Sequence, residues 1–153
     1  MKKDSYLISF GILIVLLLSI FLISGCSKEN KIVLVHMRYI QHMKNVTEIS
    51  MWDFKGVDDN DRPVGMTLWK KISDQNSISN IMSAVKNAEI DPYTVVGAVC
   101  DCLICFKDPD GRLYCTSIGI DSDKVVYGWA YIDRSGQLYD ALNAAGLAPK
   151  KYP

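Results

Sequence analysis

Histidine is scarce in this chain, with only His36 and His42 among 153 residues, and neither stands near a carboxylate or cysteine pattern that would complete a metal or acid–base site. Both are read as surface or satisfied core histidines. No Gly-x-Ser-x-Gly elbow, His-Glu-x-x-His helix or glycine-rich phosphate loop occurs. The common hydrolase, zinc-protease and nucleotide signatures are therefore missing, and no enzyme activity, metal or cofactor is expected. An excess of one charge is missing too: 17 Lys and Arg face 17 Asp and Glu. Without a basic cluster, nucleic acid is not an expected partner. Internal repeats and low-complexity tracts are also absent.

What the chain does have is a long apolar run near its start. Lys2 and Lys3 form a positive n-region, and Leu7 to Ile23 is apolar apart from Ser9, Gly11 and Ser19, the pattern of an export signal. The run ends in Ile23-Ser24-Gly25-Cys26, which resembles the lipobox of bacterial lipoproteins. That resemblance implies a diacylglyceryl (palmitate-type) modification of the Cys26 thiol and cleavage before it. Residues 1–25 would be the signal peptide, and Cys26 the first residue of a protein tethered at the extracytoplasmic face of the cell membrane. Two acyl chains give stable anchoring, at about 0.8 kcal/mol per buried methylene. An uncleaved spanning helix is the alternative, but it would need no Ser-Gly-Cys ending. No basic stop-transfer cluster follows either, since Ser27 to Lys31 is mixed in charge.

Removing residues 1–25 leaves 128, enough for one core and one domain, placed at 32–150 after a tether at 26–31. Alternation predicts a strand over Lys31–Ile40, paired as a hairpin with Val46–Phe54. Gly56 to Gly65 reads as a polar loop. Its Asp58, Asp59 and Asp61 lack EF-hand spacing, so an Asx-stabilised turn is preferred over a calcium loop. A short strand over Thr67–Ile72 precedes an amphipathic helix from Ser77, its N-cap. That helix carries Ile78, Ile81, Met82 and Val85 on one face and is stopped by Asp91-Pro92. Three strands follow, Tyr93–Lys107, Arg112–Ile120 and Val125–Ile132. A short helix capped by Ser135 then ends at Gly146, with Pro149 beyond. The fold class is α+β, an antiparallel sheet packed by one amphipathic helix and a short C-terminal helix.

The helix ending in Ala84 to Ala88, the Pro92-Tyr93 strand, the hairpin closed by a glycine turn, the Tyr-containing strand and the terminal helix together resemble the YhfM-like domain of small Gram-positive lipoproteins. The likeness covers roughly Ile78 to Leu147, and it carries no assigned function and no functional residues.

Four cysteines besides Cys26 remain: Cys100, Cys102, Cys105 and Cys115. Four thiolates could hold zinc, but Leu103-Ile104 between Cys102 and Cys105 favours extended chain over a zinc knuckle. A redox Cys-x-x-Cys needs its thiol at a helix N-terminus, and in a strand the two side chains would point to opposite faces. Inert buried thiols are a further reading. A structural disulfide can be placed from the turn between the cysteines. Pro109-Asp110-Gly111 suits a three-residue loop with a type I turn and a glycine bulge, closed by Asp108 and Arg112. Cys105 then lies opposite Cys115, about 4.5 Å apart at Cα if the pair is non-hydrogen-bonded, within reach of a disulfide. Cys100, Cys102, Ile104, Phe106, Tyr114 and Ile118 fall on the core face.

On the last predicted strand, Tyr127, Trp129 and Tyr131 share a face, which is either core or an open strip for a glycan or protein partner. The resulting expectation is a lipid-anchored, non-catalytic binding or accessory module. A thiol-dependent metal-binding or redox protein and an immunity or inhibitor protein are the alternatives.

Overall fold

The structure is a computed structural model that describes residues 32–60, 62–90, 102–120, 123–128 and 131–148. Residues 1–31 (with Cys26), Asp91-Pro92, residues 93–101 of the expected Tyr93–Lys107 strand (with Cys100), Trp129 and Pro149 lie outside them. The described residues carry strands β1 (Ile32–Leu34), β2 (Glu48–Asp53), β3 (Gly56–Val57), β4 (Pro63–Val64), β5 (Thr67–Ile72), β6 (Cys102–Lys107), β7 (Leu113–Ile120), β8 (Val126–Gly128) and β9 (Tyr131–Asp133). Helices α1 (Met37–Gln41), α2 (Gln75–Asn87) and α3 (Gln137–Ala144) complete the set. Among these residues one sheet runs in the order β5-β2-β6-β7-β8-β9, and β1 also pairs with β7. Every pair in it is antiparallel except β1–β7. This is an α+β fold.

The strand expected over Lys31–Ile40 is corrected. β1 stops at Leu34, and α1 follows with Met37 and Ile40 wholly buried. Alternating residues there fit one helical turn as well as a strand, and the His36 side chain caps the turn by accepting from the Arg38 amide. The hairpin expected with this segment is corrected too. β2 lies between β5 and β6, while β1 reaches across to pair in parallel with β7, Ile32 facing Leu113 and Leu34 facing Cys115.

α2 begins at Gln75, two residues before its predicted start. Asp74 is the N-cap, its carboxylate accepting from the Ser77 amide at 2.9 Å. Those bonds, to Ser77 first, hold the Asp74 carboxyl below the ordinary carboxylate range. Ile78, Ile81, Met82 and Val85 are buried, as their spacing predicts. The cap of α3 is corrected: Gly136, at φ 75°, is the N-cap rather than Ser135, whose hydroxyl accepts from the Gln137 amide while the buried Asp133 carboxylate takes the Leu138 amide. Gly146, at φ 66°, closes that helix. Its amide bonds Asn143 and the Leu147 amide bonds Leu142, the paired arrangement of a Schellman stop.

The segment expected as one strand over Val125–Ile132 is instead a hairpin of β8 and β9, Gly128 facing Tyr131 and Tyr127 facing Ile132. Gly128 is required there, because a Cβ would collide with the Tyr131 ring and the Ser117 carbonyl.

Two apolar clusters lie on opposite faces of the sheet. The larger takes Ile49, Met51, Cys102, Ile104, Phe106, Ile118, Val126 and Tyr131 from the strands and closes against all three helices. The smaller is built on Leu103, Cys105, Leu113 and Cys115, with Ile32, Leu34, Trp52, Phe54 and Met66 packed around them.

Candidate functional site

The β6–β7 hairpin has the register that its turn predicts. The Asp108 amide bonds the Arg112 carbonyl, Gly111 sits at φ 85°, and Phe106 faces Tyr114 while Cys105 faces Cys115. The Cys105 and Cys115 sulfurs are bonded, with Cα atoms 4.0 Å apart. Cys102 points to the opposite face, into the helix-covered core, where its thiol donates to Asp53 at 3.6 Å. Strand alternation thus divides these three cysteines between two faces, with Cys105 and Cys115 joined to each other on one of them. Among the described residues no group of three or more His, Cys, Asp or Glu is placed to hold a metal ion.

Both histidines are engaged locally. His36 caps α1, and the His42 ring lies 2.8 Å from the Arg38 carbonyl. In the polar loop the Asp58 carboxylate accepts from the Asn60 and Arg62 amides and pairs with the Arg62 guanidinium. The Arg62 bonds hold its carboxyl below the usual range. These are the bonds of an Asx turn.

The aromatic face predicted from Tyr127, Trp129 and Tyr131 is corrected. Because the chain reverses between β8 and β9, Tyr127 and Tyr131 fall on opposite faces. Tyr131 is fully buried in the helix-covered core, its hydroxyl donating to the Ser117 carbonyl. Tyr127 is half-buried and lies over Gly119. Trp129 lies outside the described residues. A pair that alternation did not reveal is Tyr39 on Tyr114, ring centroids 5.1 Å apart, with Tyr39 half exposed. The hydrogen bond with Tyr114 raises the Tyr39 hydroxyl above its ordinary pKa.

Further exposed apolar residues, Val57, Val64 and Leu68, lie on an arm. Beyond a bulge at Met51/Trp52, the β2–β5 ladder pairs Trp52 with Leu68 and Asp53 with Thr67, and a separate β3–β4 pair follows, with Gly56 opposite Val64. A Lys55 amide bond to Val64 joins the two. Strand pairing puts Trp52 and Leu68 on the side of Leu103 and the Cys105–Cys115 disulfide, where Phe54 and Met66 also pack. Val64 and Leu68 are each 42% exposed, while Trp52, Phe54 and Met66 pack at the margin of the disulfide cluster. Leu68, opposite Trp52, thus adjoins a buried apolar patch at the base of the arm. Its tip is at the far end of the sheet from Ile32, since Ile32 faces Leu113, Leu113 faces Lys107 and Lys107 faces Glu48, the opposite end of β2 from the arm. Sequence reasoning saw Gly56–Gly65 as a polar loop, and the alternation that signals the arm is split by Lys55 and by the loop itself.

No family model, curated protein or solved structure matches the chain.

Proposed function

We propose that this chain is a lipoprotein anchored through Cys26 at the extracytoplasmic face of the membrane, and that its domain is a non-catalytic binding module. The contact surface is the apolar strip of the β2–β5 arm. The lipobox-like Ile23-Ser24-Gly25-Cys26 supports the anchor. The exposure of Leu68 beside Trp52, Phe54 and Met66, with Val64 also exposed further along the arm, carries the surface. A contiguous exposed apolar patch is what marks an interaction site. The exposed members are aliphatic, whereas stacking on a glycan needs open aromatic faces, so the partner is a protein. The arm also stands at the end of the sheet away from the tether, where a second exported protein can reach it.

Two measurements test the two halves separately. Labelling with a fatty-acid analogue should mark the protein, and Cys26→Ser should remove the mark; an unchanged label overturns the anchor. A photo-reactive residue replacing Leu68 in intact cells should yield a cross-linked species that Val64→Asp abolishes. The same residue replacing Asn143, on the helix side, should yield none. Equal yields from the two positions would overturn the assignment of the surface.

A further inference from the structure

On the helix side, residues 43–46 run along α2 and leave an open groove of about 420 Å³. Its floor is apolar: Val46, Ile78 and Met82 are buried at the edge of the core, and Met43 packs against them. Its rim carries Lys44 and Lys86 and no acidic residue. Among the described residues neither lysine has an ion-pair partner. Asp74, next to the groove in sequence, spends its carboxylate on the α2 amides. Two unneutralised cations over an apolar floor complement a ligand with a negative head and an aliphatic body, and two methionines give that floor a shape that adapts.

The tether decides where such a ligand comes from. Residues 26–31 extend at most about 20 Å before the chain joins the sheet at Ile32. Ile32 lies at the same end as Glu48, the residue into which the 43–46 segment feeds β2. The groove therefore opens within reach of the bilayer to which the chain would be attached. We propose that it takes the headgroup and first methylenes of an anionic membrane lipid, seating the domain on the membrane by its helix side. The proposal rests on the anchored reading only for the source of the lipid, not for the chemistry of the groove.

The test uses the full chain in neutral detergent micelles, labelled with methyl-¹³C methionine and titrated with dihexanoylphosphatidylglycerol. The Met43 and Met82 methyl signals should shift and saturate, while that of the buried Met51 stays in place and reports an intact fold. Each lysine near an anionic surface contributes about fivefold in affinity, so Lys44→Gln with Lys86→Gln should weaken the response by about 30-fold. The zwitterionic dihexanoylphosphatidylcholine and inorganic phosphate should leave both signals in place. Equal shifts with the phosphatidylcholine would mean that the floor alone binds, and equal shifts with phosphate would mean a soluble-anion site; either overturns the proposal, as does no shift at all. Fatty-acid labelling at Cys26 is read independently, so failure of the anchor and failure of the groove are distinguishable.

Discussion

Two hydroxyl groups in the helix-covered core meet opposite fates. Tyr131 is wholly buried and donates to the Ser117 carbonyl at 3.1 Å. Thr116, facing Ile104 across the β6–β7 ladder, is buried with no hydrogen-bond partner for its Oγ1 among the described residues. A made bond is worth about 1 kcal/mol net, and an orphaned buried group costs about 1 to 3 kcal/mol. Tyr131→Phe should therefore destabilise the domain by about 1 kcal/mol, whereas Thr116→Val, which keeps the shape and removes the hydroxyl, should stabilise it by about the same amount. Urea denaturation of the two variants checks this, and a loss in both would mean that Thr116 has a partner after all. Neither fate is readable from sequence, because the residue types are common in strands. Only the reversal between β8 and β9 carries Tyr131 inward and away from Tyr127.

At the scale of elements, the capping of α2 gives a pH dependence of known sign. The folded Asp74 carboxyl lies below its ordinary value because it accepts the Ser77 amide. Its charged form therefore contributes stability that is complete above the unfolded pKa, about 3.9, and is lost as pH falls through the depressed folded value. Asp74→Asn keeps a capping oxygen but has no proton to gain. At neutral pH the wild type should melt above Asp74→Asn, and the gap should close on acidification below about pH 4. A gap that does not change with pH would show that the carboxylate's charge does not matter. Asp58 also titrates low and is common to both proteins, so the comparison isolates Asp74. Elements whose physics is local were legible in the sequence: the 3.6 period of Ile78, Ile81, Met82 and Val85, the Asp108–Arg112 turn that sets the cysteine register, and the Gly146 stop. Elements whose partners are chosen by tertiary contact were not. β1 and β2 each alternate well, yet they are separated by β6 and β7 in the sheet. Val125–Ile132 lacked a visible Asn-Gly or Gly-Gly turn to betray its hairpin.

For the whole molecule, the informative strand is β6. Leu103, Ile104, Cys105 and Phe106 are consecutive and all buried. A half-buried strand alternates, and a continuous apolar run marks a strand covered on both faces. The central sheet is accordingly buried twice: Ile104 and Phe106 lie beneath the helices, and Leu103 and Cys105 lie in the disulfide cluster. The β2–β5 ladder then extends that second face outward until it meets solvent at Leu68. One strip thus contains both core and surface, and the two can be told apart energetically. Leu103 is 1% exposed, so Leu103→Ala should cost about 2 to 5 kcal/mol, as Ile104→Ala should on the opposite face. Leu68 faces Trp52 but is 42% exposed, and Leu68→Ala should stay within about 0.5 kcal/mol. Denaturant unfolding of the three variants with an unchanged m-value makes the comparison. If Leu103→Ala costs no more than Leu68→Ala, the disulfide face is open surface, and the binding strip must be redrawn to include its centre. If all three are costly, the arm is part of the core, and the contact surface proposed on it is wrong.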